Sequence, residues 1–195
     1  MKKLVLVVCM CAFILGTTVM AAASPLADYS TPGNTNIGVR FQTGLGLDFT
    51  RVMGENWGVG VHYNYYDYSG YSAVHSISLL GKYMWFRDNR LTVVPYAGIN
   101  YWTWEVEYRD WDGSRRRIDE NFTSFVYGAE FIFEINERFK AFVDVGGFSS
   151  GVASFGWSSG LSYAVNPNWD VSLYFGGRHE TGAGIGVTYR FSRTQ

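Results

Sequence analysis

Cysteine is almost missing from this chain: only Cys9 and Cys11 occur, both inside the first apolar segment. Beyond that segment neither a disulfide framework nor a thiolate metal or catalytic site is available. Proline is also scarce, at 4 residues. After residue 23 no apolar run approaches the ~20 residues that a spanning helix needs. Nor is there an excess of one charge: 16 Lys and Arg against 17 Asp and Glu leave a formal net charge of −1, which excludes the basic footprint of a nucleic-acid binder. The three histidines show no His-x-x-x-His spacing, and Asp110-x-Asp112-Gly113 lacks the later ligands of a calcium loop. The glycine-rich stretches lie in alternating segments rather than ahead of a helix, so no phosphate cradle exists. No cofactor or metal is expected.

What the chain has in plenty is glycine, 23 residues, and aromatics, with 14 Tyr, 14 Phe and 7 Trp. A soluble domain would need a large core for so many rings, and glycine weakens helices. A membrane barrel has a place for both, with aromatics facing lipid and interface and glycine fitting a crowded interior. The N-terminus points the same way. Lys2 and Lys3, an apolar stretch from Leu4 to about Leu15, and Ala21-Ala22-Ala23 form the three parts of a secretory signal peptide, with cleavage after Ala23. The expected organisation is thus a leader over 1–23 and one barrel domain over 24–195.

From Ile37 onward the chain alternates with period two, the mark of strands with one apolar and one polar face. Ile37 to Phe49 puts Ile, Val, Phe, Thr, Leu, Leu and Phe at odd positions, against Gly38, Arg40, Gln42, Gly44, Gly46 and Asp48. The same pattern recurs from Trp57, from Ile77, from Leu91, from Phe125, from Phe139, from Phe155, from Trp169 and from Gly182. Pro95 cannot donate to a ladder and reads as a bulge or irregular strand start. Glu105 to Asn121, with ten charged residues, reads as a long loop. Tight turns at Glu55-Asn56, Asp88-Asn89, Asn136-Glu137 and Pro167-Asn168 interleave with more variable connections near Asp67, Glu105 to Asn121, Ser149 and His179. Short turns on one side and longer loops on the other are the asymmetry of outer-membrane barrels.

Nine alternating segments are clear. An even count is required, and Leu26 to Thr31 followed by Pro32-Gly33 is expected to supply a tenth, short strand and a turn. Eight strands is the alternative. Aromatics gather at strand ends: Trp57, Tyr83, Trp85, Trp169, Tyr189 and Phe191 at the periplasmic end, Tyr63, Tyr65, Tyr101 and Trp102 near the outer one.

The last strand, Gly182 to Phe191, ends in Gly186-x-x-Tyr189-x-Phe191. This ending resembles the C-terminal signal of bacterial outer-membrane β-barrel proteins. Together with the leader and the alternating segments, it makes the chain similar to the small outer-membrane barrel superfamily that includes outer membrane protein A. The resemblance implies an all-β, transmembrane, antiparallel up-and-down barrel in the cell outer membrane. Its implied partners are outer-membrane lipids and the barrel-insertion machinery, with Gly186, Tyr189 and Phe191 as the insertion signal. A peptidoglycan-binding domain, appended in some relatives, is not expected after the last strand.

Candidate chemistry is sparse. The polar face includes Arg40, Asp48, His62, Lys82, Glu130, Glu134, Lys140, Asp144, Asp170 and Arg190, expected to pair across the lumen because a charge persists there only if paired or hydrated. Read functionally, these are a selectivity filter or an acid and base pair; read structurally, they fill the barrel. Arg115, Arg116 and Arg117 are candidates for lipopolysaccharide phosphates or an acidic partner, flanked by the neutralising Asp110, Asp112, Asp119 and Glu120. His75-Ser76 and His179-Glu180 approach, without reproducing, the His-x-Ser hallmark of lipid A deacylases. No catalytic residue is assigned. Three readings follow: a structural or interaction barrel with at most a narrow pore, a lipid-modifying enzyme, and a soluble secreted barrel with its apolar face turned inward.

The ending is testable by itself. Replacing both rings, Tyr189→Ala with Phe191→Ala, is expected to lower the amount of membrane-inserted protein, measured as the fraction resistant to SDS before boiling. Unchanged insertion would leave the ending as one more strand.

Overall fold

The computed structural model describes residues 33–41, 44–68, 72–109, 114–149, 155–177 and 182–191. The expected leader over 1–23, the expected strand Leu26 to Thr31, His179 and the tail Ser192 to Gln195 lie outside these. Eleven strands are present: β1 Thr35–Phe41, β2 Gly44–Val52, β3 Trp57–Tyr68, β4 Ser72–Tyr83, β5 Phe86–Arg87, β6 Leu91–Arg109, β7 Arg115–Glu134, β8 Phe139–Phe148, β9 Phe155–Asn166, β10 Trp169–Gly177 and β11 Gly182–Phe191. Each pairs antiparallel with its sequence neighbour, apart from the two-residue β5, which only edges β6. β1 pairs with β11 and β4 with β6, so the sheet closes into a ten-strand barrel without a free edge around its girth.

The tenth strand has a different origin from the one expected. Ile37 to Phe49 is not one strand but the hairpin β1–β2, with Arg40 opposite Gly46 and Phe41 opposite Leu45. Odd residues pair with odd residues across this hairpin, so the alternation runs through the turn unbroken. Nothing in the period marks the reversal. The Pro32-Gly33 turn is half visible: Gly33 has φ 89°, the left-handed region that glycine occupies freely, and its N–H bonds the Val52 carbonyl at 2.8 Å.

Parity holds around the whole barrel. Every buried polar residue, from Asn34 to Thr188, is even-numbered, and the exposed large apolar residues are odd-numbered apart from Phe86 and Ile118. The turns at the end near both described termini are the tight ones. Two share a device: Asn136 Oδ1 accepts from the N–H groups of Arg138 (2.9 Å) and Phe139 (3.0 Å), and Asn166 Oδ1 accepts from those of Asn168 (2.9 Å) and Trp169 (3.0 Å). The interface aromatics expected here are in place, with Trp57 opposite Tyr83 and the rings of Trp169 and Tyr189 4.8 Å apart. At the other end Trp102 lies where the sequence placed it, near the outer end of its strand. It points inward, buried, with its Nε1 3.2 Å from Ser124 Oγ.

Pro95 sits where the sequence placed an irregularity. The β4–β6 ladder stops at Lys82 opposite Tyr96, and pairing resumes one residue out of step at Phe86 opposite Val93. On its other side Pro95 stays in register with Ala129.

Glu105 to Asn121 is not a loop. β6 and β7, 19 and 20 residues long, run through it as a continuous ladder in which Glu105 faces Asp119 and Glu107 faces Arg117. The reason the alternation was hidden is a reversal of its sense. Outward positions are apolar up to Tyr101 and again from Phe125, but between them the described side chains read Thr103, Glu105, Glu107, Arg117, Asp119, Asn121 and Thr123. Over the same stretch the inward face carries Trp104, Val106, Ile118 and Phe122, with Glu120 opposite Trp104. A strand of 9–11 residues crosses a bilayer, so the ladder continues roughly 25 Å beyond it at ~3.3 Å per residue.

The faces should respond in opposite ways to charge. Leu161→Arg, on the outward face, is expected to cost about 2–4 kcal/mol near the bilayer midplane. Ser158→Arg points inward opposite Asp144 and should cost less. Urea unfolding of the two variants in lipid vesicles decides it, and equal losses would refute the assignment of faces.

Candidate functional site

The interior is the first place where chemistry could reside. Arg40 on β1 donates to both carboxylate oxygens of Asp48 on β2, at 2.6 and 3.0 Å, and also to Asn64 Oδ1 at 3.2 Å. Lys82 on β4 reaches past β6 to Glu130 on β7 at 2.6 Å. Tyr96 on β6 donates to Asp144 on β8 at 2.9 Å. Lys140 meets Glu134 at 3.0 Å, and Arg190 forks onto both oxygens of Asp170. Thus all the inward charges expected from the sequence are brought into hydrogen bonds or ion pairs, except that His62 only approaches Asp48. They pair along the wall, between adjacent or next-but-one strands, rather than across the lumen. The physical reason is that the interior is too full for an open gap: Arg40 lies over the Tyr174 ring, 6.0 Å from its centre, and Lys82 lies 5.9 Å from that of Tyr96.

Glycine makes this filling possible. The Tyr96 hydroxyl crosses β7 directly over Gly128 and Gly146, and a Cβ on either would collide with it. Gly186, from the candidate insertion signal, has a packing duty of its own: a Cβ there would stand 2.7 Å from the Tyr174 hydroxyl. Tyr189 and Phe191 of the same signal face outward, their rings 4.5 Å apart.

Toward the outer mouth, Asn64, Ser76, Ser78 and Asn100 face Tyr96, Trp102 and Phe148 around a small cavity. Its space for water centres is about 20 Å³, room for little more than one water.

Register also lines up a carboxylate, an imidazole and a hydroxyl, with Asp48 opposite His62 and His62 opposite Ser78. Sequence spacing had not shown this row, which only strand pairing reveals. It does not form a catalytic triad. His62 Nδ1 is 3.6 Å from Asp48, too long for a hydrogen bond, and neither ring nitrogen has a hydrogen-bond partner among the described residues. A Cβ on Gly60 would lie 3.2 Å from Nε2, so that nitrogen leans toward Gly60. The Ser78 hydroxyl is engaged with the Asn100 amide at 2.6 Å, and His62 is fully buried. His75 lies on the outward face, as its odd position requires, with Nδ1 2.9 Å from the Tyr63 hydroxyl. Among the described residues no group of His, Cys, Asp and Glu could hold a metal.

The second place is the ribbon. Arg117 is exposed and bonded to Asp119 and Glu105, both at 2.8 Å. The backbone of Arg115 and Arg116 starts β7, while their side chains lie outside the described residues.

Ile37, Leu79, Ile99, Phe125, Leu161, Leu173 and Ile185 lie between 43% and 60% exposed around the outside, while Arg40, Lys82 and the carboxylates Asp48, Glu130 and Asp144 are sealed within. Water favours the reverse; hydrocarbon favours this. The protein is a membrane-spanning β-barrel. Barrels of this build cross the bacterial outer membrane, which is the location of this chain. The sequence matches no known family and no curated protein. Among solved structures, the N-terminal β-barrel domain of Pseudomonas aeruginosa OprF is 16% identical, with a TM-score of 0.49 over 82% of this chain and 98% of that one. The Acinetobacter baumannii outer membrane protein Omp33 is 12% identical, at 0.43 over 81% and 97%. Ail, the attachment invasion locus protein of Yersinia pestis, is 11% identical, at 0.41 over 83% and 100%.

The Lys82–Glu130 pair offers a direct test of the filled interior. Lys82→Met leaves a buried carboxylate alone and is expected to cost about 3–5 kcal/mol, whereas Lys82→Met with Glu130→Leu should recover most of that. Urea midpoints in detergent or vesicles read both. A double variant no more stable than the single one would show that the pair is hydrated rather than sealed.

Proposed function

We propose that the protein is an outer-membrane interaction barrel, in which a filled, non-diffusive barrel anchors the β6–β7 ribbon and holds it out in the surrounding water. The observation that carries this reading is the reversal of polarity along the ribbon. A strand pair that only crossed the bilayer would stop where its outward face stops being apolar, at Tyr101 and Phe125. Here the ladder continues as far as Arg109 opposite Arg115, with Glu105, Glu107, Arg117 and Asp119 on its outer face. The paired interior supports the same reading, since charges bonded along the wall and rings packed among them take up the bore of a narrow barrel. The buried, unpartnered His62 and the engaged Ser78 speak for a non-enzymatic role. Lipid surrounds the outward band, and the barrel-insertion machinery reads the outward Tyr189 and Phe191.

Two measurements test the proposal. In planar bilayers the purified, folded protein is expected to show no large, stable conductance, and sugar-sized solutes should not enter vesicles that contain it. Large conductance with solute uptake would make it a diffusion channel instead. For the ribbon, Asn121→Cys places a thiol on an exposed outward position in a chain whose own cysteines lie only in the leader. On intact cells a membrane-impermeant maleimide should label it, and labelling only after lysis would put the ribbon on the periplasmic side.

A further inference from the structure

The pairing of interior charge leaves one carboxyl group over. Within the barrel strands below the ribbon, each inward lysine and arginine meets a carboxylate of its own, as Arg40 meets Asp48 and Lys82 meets Glu130. Asp144 has no such cation among the described residues. Its side chain takes one hydrogen bond, on Oδ1, from the neutral Tyr96 hydroxyl.

Asp144 on β8 stands directly opposite Glu130 on β7, and the two are 1% and 3% exposed. Directly opposed positions hold their Cβ atoms about 4.5–5.5 Å apart, so both carboxyl groups occupy one buried space. Each is half used. Glu130 Oε1 accepts from Lys82 and Asp144 Oδ1 from Tyr96, while Glu130 Oε2 and Asp144 Oδ2 are buried without a hydrogen-bond partner among the described residues. β9 faces Asp144 with Ser158, whose buried hydroxyl does not reach the free oxygen. β4 faces the pair with Lys82 and β6 with Tyr96. Next in reach is the Arg40–Asp48 pair of β1 and β2, neutral as a unit, and His62 of β3 lies beside Lys82 over Gly60. Lys82 is thus one positive charge for two carboxyl groups. A second ionised carboxylate there would be a buried charge without a partner, which is costly, and like charges so close do not both ionise readily.

We propose that Glu130 and Asp144 share a single proton, held between Oε2 and Oδ2, so that the two carboxyl groups and Lys82 are neutral together. A protonated carboxyl group gains one donor, and one O–H···O bond satisfies both free oxygens at once. The proton comes from solvent when the barrel folds. The folded protein then carries one proton more than the unfolded chain, whose carboxyl groups are ionised above about pH 5. Stability therefore falls as pH rises across the neutral range. The inference concerns the barrel interior alone and holds whatever the ribbon binds.

Infrared spectroscopy of the folded protein in dodecyl maltoside micelles, which carry no carbonyl of their own, tests this directly, because the C=O stretch separates protonated from ionised carboxyl groups. At neutral pH the wild-type spectrum is expected to contain one protonated-carboxyl band that is lost in Asp144→Asn and lost equally in Glu130→Gln, since either amide leaves one carboxylate for Lys82 to neutralise. Absence of the band from the wild-type spectrum would overturn the proposal by showing both groups ionised. A band kept in either folded variant would overturn it as well, by placing the proton on one residue alone. Urea unfolding supplies a second readout. From mildly acidic to mildly alkaline buffer, the wild-type unfolding constant should rise relative to that of either variant by about tenfold per pH unit, the histidines cancelling in the comparison. Parallel pH profiles would sink the idea. Gel mobility before and after heating checks that each variant is folded, and the wild-type band needs no variant.

Discussion

Closure of the backbone ladder is the constraint on which everything else in this protein depends. In hydrocarbon an unpaired N–H or C=O is costly, and a sheet escapes that cost only by meeting itself. Here the meeting is made by β1 with β11 and β4 with β6. Once the sheet is closed, each side chain has only two places to go, in or out. A single parity then runs from Asn34 to Phe191, because the turns return each strand in step with the one before. The mismatch beside Pro95 is confined to the rim, where β5 replaces the end of β4 as the neighbour of β6.

Closure also decides what the interior can be. Ten strands bring inward side chains within reach of one another, and the charges that the even positions carry must find partners at short range. Arg40 with Asp48, Lys82 with Glu130 and Arg190 with Asp170 satisfy this, while Tyr96 uses the space above Gly128 and Gly146 to reach Asp144. The abundance of glycine and the pairing of buried charge are thus two sides of one requirement, a full interior in a narrow tube. Aromatic rings complete it, Phe142 against Tyr174 and Trp102 against Phe148, their centres 5.3 Å apart in each case.

Above the bilayer the same two-sided strand serves the opposite solvent. The β6–β7 ribbon keeps its ladder and its parity but changes the character of its faces, with Glu105, Glu107, Arg117 and Asp119 outward and Trp104, Val106, Ile118 and Phe122, together with Glu120, on the other side. The change marks the water boundary more sharply than any girdle residue.

Period-two alternation is a local property, so the sequence by itself determined the strands, their inward and outward faces, the tight turns built on Asn136 and Asn166, and the barrel class. His75 on the outer face and Lys82 on the inner one follow from position number alone. What the period could not reveal was where a strand reverses in step with itself, hence the β1–β2 hairpin inside Ile37 to Phe49. Nor could it reveal a strand whose outer solvent changes, hence Glu105 to Asn121 taken as a loop. Partners across strands are a matter of register, and only the tertiary structure decided them. It set Lys82 against Glu130 rather than a nearer acid, sent the Tyr96 hydroxyl to Asp144, and brought Asp48, His62 and Ser78 into one row, because strand tilt and closure, not sequence distance, determine which side chains share a level in the barrel.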